Sequence, residues 1–122
     1  MILYAVLLAF TLVERLAELV VSLSNAQWSF ERGGREYGRE HFPFMVALHS
    51  LFLVGCLVEP RLAGRTVAPA IAPVAIAVAL ACQGLRWWCI ATLGRQWNTR
   101  VIVVPGLPRV QGGPYRWLSH PN

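Results

Sequence analysis

Apolar residues fall into three long runs, each close to the ~20 residues that an α-helix needs to cross a bilayer. The runs cover about residues 1–23, 42–59 and 67–93. A polar stretch at 24–41 separates the first two, and the chain becomes polar and aromatic again over residues 94–122. The pattern predicts an all-α integral membrane protein with about three transmembrane helices, a loop between the first two and a polar C-terminal segment.

Composition agrees with this pattern and limits the choice of partners. The 122 residues are 56% hydrophobic and 14% charged, whereas a soluble domain has about a quarter of its residues charged. This length predicts one domain, residues 1–122. The net charge of +5 favours anionic headgroups or an anionic ligand over nucleic acid, since no recognition-helix pattern is present. Cys56, Cys82 and Cys89 lie in apolar runs without a C-x-x-C pair, so we predict no metal site.

Ionisable residues interrupt the first two apolar runs. Glu14 and Glu18 are four residues apart and share a helix face, and Arg15 is three residues before Glu18. Charges at this depth are costly unless they are paired or turned toward the protein interior. Two interpretations stay open: an internal ion pair that fixes helix register, or the polar wall of a substrate cavity. His49, in the middle of the second run, is either a packing residue or part of the same cavity.

The arginines predict the orientation in the membrane. Two of them, Arg61 and Arg65, lie between the second and third runs. Seven lie in the 24–41 loop or after the third run: Arg32, Arg35, Arg39, Arg95, Arg100, Arg109 and Arg116. Positive residues accumulate on the cytoplasmic side. We therefore expect a multi-pass protein of the cell (plasma or inner) membrane, with the N-terminus outside and the loop and the C-terminal segment in the cytoplasm.

The residues best suited to form a binding or catalytic site are concentrated at the C-terminus. Gly112-Gly113 frees the backbone and Pro114 fixes φ directly after it, which predicts a tight bend. Such a bend can present Tyr115 and the residues after it, including a tryptophan and a histidine, to one small space. The alternative is a simple Gly-Pro turn followed by an amphipathic segment that lies on the bilayer.

Two motifs resemble one family of membrane enzymes. L-G-R-Q-W-x-x-x-V at residues 93–101 and G-G-P-Y-R-W-L-S-H-P-N at residues 112–122 are similar to the isoprenylcysteine carboxyl methyltransferase family, most closely its bacterial branch. Glu14-Arg15-Leu16-Ala17-Glu18 and the stretch from Glu40 to His49 fit that branch too. The resemblance implies an S-adenosyl-L-methionine-dependent O-methyltransferase. Its acceptor would be a carboxyl or hydroxyl group of a lipophilic, membrane-embedded molecule of lipid or polyketide type.

The resemblance also implies a set of site residues. Arg109 or Arg116 can pair with the carboxylate of S-adenosylmethionine, and an aromatic face such as Tyr115 or Trp117 can favour its sulfonium. No residue is identified as a general base, and the candidate substrate cavity is the set Glu14, Arg15, Glu18 and His49. The residues implied for the cofactor are Leu107, Pro108, Arg109, Val110, Tyr115, His120, Pro121 and Asn122.

The chain departs from the family pattern at its end. The pattern normally continues beyond the position of Asn122 with a tyrosine and further membrane helix. We therefore expect a C-terminally truncated form that lacks part of the acceptor site. Two other functions stay open on sequence grounds: an NADPH-dependent membrane reductase, and a non-catalytic membrane subunit or fragment that packs against a partner.

Overall fold

The computed structural model describes residues 2–64 and 69–121, and these residues are mostly helical. The helices are α1 (Ile2–Phe30), α2 (Phe42–Ala63) and α3 (Ile71–Leu93), and the strands are β1 (Arg35–Tyr37) and β2 (Val101–Val103). Short 3-10 turns cover Arg39–His41, Gly94–Gln96 and Gly113–Arg116. The chain divides into two compact units, one of Met1–Arg65 with Asn98–Pro105, the other of Thr66–Trp97 with Gly106–Asn122.

In the first unit, α1 buries a polar face and exposes an apolar one. The buried residues recur at helical spacing: Glu14, Glu18, Ser22, Asn25, Ala26 and Ser29. Large apolar side chains such as Phe10, Val13 and Leu16 are exposed on the same helix. This is the reverse of a helix in a water-soluble protein, where the apolar stripe faces the core. The arrangement suits a helix whose outer surroundings are apolar.

The first helix is longer than the sequence analysis expected. It ends at Phe30 rather than near residue 23, so the loop predicted for residues 24–41 begins seven residues later and contains β1. Residues 24–30 include no glycine or proline, so nothing in them breaks the helix. The first glycine follows at Gly33, with φ at 77°, and there the chain turns.

Two helical segments are long and apolar enough to cross a membrane. They are Arg39–Ala63, with 25 residues and a mean hydropathy of 1.8, and Ile71–Gln96, with 26 residues and a mean hydropathy of 1.6. Any 18 consecutive residues of α1 include the three charged residues Glu14, Arg15 and Glu18. Its length and composition alone therefore do not mark it as a membrane-spanning helix. A third spanning helix therefore stays a prediction. The third helix was expected to begin at residue 67; residues 67–68 lie outside the described residues, residues 69–70 form a turn, and α3 begins at Ile71.

A proline in α2 leaves a carbonyl that α1 satisfies. The second helix was expected to end at Glu59, but it continues through Pro60 to Ala63 and ends at Gly64, with φ at 57°. Proline has no N–H, so the carbonyl of Cys56, four residues earlier, loses its usual helical donor. The Tyr4 hydroxyl of α1 donates a hydrogen bond to that carbonyl at 2.5 Å. The bond links the two helices at the carbonyl that lacks a donor within α2. This explains how α2 tolerates an internal proline.

Hydrogen bonds of the Ser22 and Asn98 side chains fasten β2 to α1. The Asn98 side-chain amide donates to the Ser22 carbonyl at 3.0 Å, and the Ser22 hydroxyl donates to Asn98 Oδ1 at 2.8 Å. The Thr99 backbone N–H donates to Ser22 Oγ at 3.1 Å. β2 then pairs antiparallel with β1, with Glu36 opposite Ile102. This two-stranded sheet is an addition to the all-α architecture predicted from the sequence.

The proline–tyrosine arrangement predicts a specific energetic coupling. Tyr4→Phe removes the donor to the Cys56 carbonyl and should lower the free energy of unfolding by about 1–2 kcal/mol. In a Pro60→Ala background, the new N–H at position 60 can bond the same carbonyl within the helix. Tyr4→Phe should then cost about 1 kcal/mol less, as measured by denaturant titration in mixed micelles. Equal costs in the two backgrounds would contradict this explanation of the internal proline.

Candidate functional site

In the second unit, the turn Gly113–Arg116, called here the GPYR turn, packs on the last turns of α3. Gly113 has φ at 53°, a left-handed conformation that favours glycine. A Cβ at this position would lie 2.5 Å from Thr92 Oγ1 and 3.1 Å from Trp88 Nε1. Both the backbone conformation and the contact with α3 therefore require glycine. Pro114, the next residue, is buried.

Tyr115 is held through its hydroxyl. The side chain is half-buried, and its hydroxyl forms a hydrogen bond with the thiol of Cys89, which is fully buried on α3. Burial, followed by the neighbouring Cys89, raises the pKa of Tyr115 above its ordinary value of 10.0. The phenol therefore stays protonated at neutral pH. Because its hydroxyl is engaged by α3, the ring is the part of Tyr115 best suited to meet a ligand.

Two tryptophans lie side by side at the same end of α3. The rings of Trp88 and Trp117 meet edge-to-face, with centroids 6.4 Å apart and an interplanar angle of 64°. Trp117 is 70% exposed, so most of its aromatic surface stays available. The Arg116 guanidinium lies 5.9 Å from the Trp117 ring, within the range of a cation–π contact.

The other residues predicted for the cofactor belong to this same unit. Pro108 accepts a hydrogen bond from the Gln96 side-chain amide at 3.3 Å, which ties the 107–110 stretch to the residues that follow α3. Arg109 and His120 are exposed, and Pro121 is half-buried. Asn122 lies outside the described residues. The structure thus gathers the two predicted cofactor stretches into one compact unit, and the assignment of these residues to a cofactor stays a prediction.

The predicted substrate-cavity residues divide into two groups within the first unit. Glu14 and Glu18 are buried on the same face of α1, with relative exposures of 9% and 2%. Arg15 Nη1 lies 2.8 Å from Glu18 Oε2, so the ion pair that one interpretation required is present. His49 lies on the exposed surface of α2, where its Nδ1–H donates to the Met45 carbonyl at 2.8 Å. The cavity role of all four residues stays a prediction.

Sequence reasoning missed the part of α3 that supports the GPYR turn. Trp88 and Thr92 are four residues apart and so share a face, and Cys89 lies beside them. The sequence analysis placed them only within the third apolar run, with Cys89 as an apolar cysteine. The signal that points to a supporting role is their position directly before Gly94, where the helix must end. Among the described residues, no group of three His, Cys, Asp or Glu side chains could hold a metal ion.

Comparison with known proteins identifies the family. The sequence model of the Isoprenylcysteine carboxyl methyltransferase (ICMT) family matches residues 75–122, which include most of α3 and the whole GPYR turn. The uncharacterized protein YpbQ of Bacillus subtilis (strain 168) is 37% identical over 116 residues, covering 95% of this chain and 68% of YpbQ. No solved structure matches the chain.

These matches, two membrane-length helices and a C-terminal turn built on the second of them define a membrane protein of the methyltransferase class. The chain belongs to the ICMT family.

Because the GPYR turn contacts α3, we predict that replacing Gly113 by alanine destabilises the protein more than replacing a glycine with open space around it. Gly106 also has a positive φ, at 80°, but nothing lies within 4 Å of a Cβ built there. Gly106→Ala should cost about 1 kcal/mol of unfolding free energy for the backbone conformation alone. Gly113→Ala should cost a further 1–3 kcal/mol, roughly, from the clash with Thr92.

Thr92→Ala combined with Gly113→Ala should recover part of that loss, since it removes the nearest atoms. Unfolding titrations of the three variants in detergent measure the difference. Equal costs for Gly106→Ala and Gly113→Ala would show that α3 does not confine the turn.

Proposed function

We propose that this chain is an S-adenosyl-L-methionine-dependent O-methyltransferase that acts on a lipophilic acceptor within the membrane. The observation that carries the proposal is the GPYR turn, built on the end of a membrane-length helix in the region that matches the ICMT family. The acceptor is a small lipid-like or polyketide-like molecule that presents a carboxyl or hydroxyl oxygen.

The residues of the second unit fit the chemistry of the cofactor. S-Adenosylmethionine carries a carboxylate, a sulfonium cation and an adenine ring. Arg109 is exposed and can pair with the carboxylate through its planar guanidinium. The half-buried Tyr115 ring can favour a cation or stack on a base. His120, also exposed, has ring nitrogens that can bond a ribose or amino-acid group.

The remaining predicted residues have supporting roles in this proposal. Leu107, Pro108 and Val110 supply backbone groups and apolar contact, and the Gln96 bond to the Pro108 carbonyl restricts that stretch. Pro121 and Asn122 complete the motif. When bound, the cofactor supplies an electrophilic methyl group. What the chain contributes is positioning and a polar environment, which are the main sources of rate enhancement in a direct displacement.

We further propose that the acceptor approaches from the bilayer and that the second unit's turn lies on the cytoplasmic side. Support for the orientation comes from the arginine distribution around the predicted spans. Support for a lipophilic acceptor comes from the apolar exterior of α1 and α2. The pair of half-buried Arg15 with buried Glu18, together with Glu14, is the proposed polar contact for the acceptor.

Binding of S-adenosylhomocysteine by the purified protein in detergent, measured by calorimetry, tests the cofactor assignment. Wild type should bind with saturation, and Arg109→Gln should weaken the affinity about tenfold because a charge-assisted pair is lost. Arg39→Gln is the matched control, since Arg39 is also exposed but lies in the first unit outside the proposed site. Its affinity should equal that of wild type.

Two results would contradict the assignment. One is the absence of saturable binding by wild type. The other is protection by NADPH with no response to S-adenosylhomocysteine, which would favour a reductase.

A further inference from the structure

The two compact units differ sharply in charge. All six acidic residues of the chain lie in the first unit, where seven arginines leave a formal charge of +1. The second unit contains no acidic residue, so its four arginines leave +4, and the two values together give the chain's +5. The four are Arg86, Arg95, Arg109 and Arg116. Anions that approach the second unit therefore meet no carboxylate of that unit that would repel them.

The GPYR turn adds exposed apolar surface beside this charge. Trp117 is 70% exposed and Leu118 is 57% exposed. The backbone N–H groups of both residues donate to the Pro114 carbonyl, at 3.2 and 3.1 Å. These bonds fix the backbone of both residues on the turn. The Trp88 side chain, 49% exposed, meets Trp117 edge-to-face.

The position along α3 places this surface near a membrane boundary. Trp88 lies 17 residues after Ile71, which is about 26 Å along a helix at 1.5 Å per residue. The hydrocarbon core of a bilayer is about 30 Å thick. A helix that enters the hydrocarbon near Ile71 therefore brings Trp88, and with it Trp117, close to the opposite headgroup region. Tryptophan and arginine are the residues that favour this depth.

We propose that Trp88, Arg116, Trp117 and Leu118 form a docking surface for the headgroups of anionic phospholipids. The aromatic and leucine side chains enter the boundary between headgroups and acyl chains, and Arg116 pairs with a lipid phosphate. Charge complementarity selects anionic over zwitterionic lipid, because the unit carries four arginines and no carboxylate. This docking surface does not rest on the proposed methyl transfer, and its test uses lipid binding alone.

The first unit supplies a matched control. Six carboxylates nearly balance its seven arginines, and one ion pair of this unit joins Arg100 to Glu36, at 3.7 Å. Arg35, in β1, is exposed like Arg116. Because the charge of the first unit is nearly balanced, removal of Arg35 should have little effect on lipid preference. Arg35→Gln and Arg116→Gln change the net charge of the chain equally, and only their location differs.

Native mass spectrometry of the detergent-solubilised chain, titrated with phosphatidylglycerol or phosphatidylcholine, tests the proposal. Wild type should retain phosphatidylglycerol in preference to phosphatidylcholine. Arg116→Gln should reduce the apparent affinity for phosphatidylglycerol about fivefold, the effect of one charge near an anionic surface. Arg116→Lys should keep most of the preference, and Arg35→Gln should keep all of it.

Four results would overturn the proposal. The first is equal retention of the two lipids by wild type. The second is an equal loss in Arg35→Gln and Arg116→Gln. The third is displacement of phosphatidylglycerol by inorganic phosphate at equal concentration, which would indicate a small-anion site. The fourth is displacement by S-adenosylhomocysteine, which would assign Arg116 to the cofactor instead.

Discussion

The first unit is arranged around α1, whose polar face is buried against protein while its large apolar side chains are exposed. Hydrocarbon offers no hydrogen-bond partners, so each polar group inside the membrane needs one from the protein. Arg15 pairs with Glu18, and Ser22 shares hydrogen bonds with Asn98, three residues before β2. The same rule explains why Tyr4 donates to the one α2 carbonyl that Pro60 leaves without its helical donor.

In the second unit, the limiting constraint is space. The GPYR turn lies so close to α3 that Gly113 has no room for a methyl group. The Tyr115 hydroxyl forms a hydrogen bond with the thiol of Cys89 on α3. These contacts fix the turn on a helix long and apolar enough to span a membrane. In the proposed function, this turn at the end of a membrane-length helix would hold a water-soluble cofactor close to an acceptor dissolved in lipid, as methyl transfer to a lipophilic molecule needs.

Much of this architecture follows from the sequence, because lipid imposes simple rules on composition. The apolar runs located α2 and the end of α3, and the C-terminal motif identified the family. The end of α1 was misplaced because polarity was taken as the end of a helix, although residues 24–30 contain no helix breaker. The second helix was expected to end at residue 59, just before Pro60, because the compensating donor, Tyr4, is 56 positions from Pro60 in the sequence. Support of the turn by Trp88 and Thr92 likewise depends on tertiary contacts that no local pattern contains.

Transfer of a labelled methyl group is the most direct measurement of the central claim. Membranes containing the protein, and matched membranes without it, would be incubated with S-adenosylmethionine labelled in its methyl group and then extracted with organic solvent. The account predicts protein-dependent label in the lipid extract, released as methanol by base if the acceptor is a carboxyl group and stable to base if it is a hydroxyl. Equal label in both extracts, despite saturable S-adenosylhomocysteine binding, would contradict methyl transfer to a lipophilic acceptor.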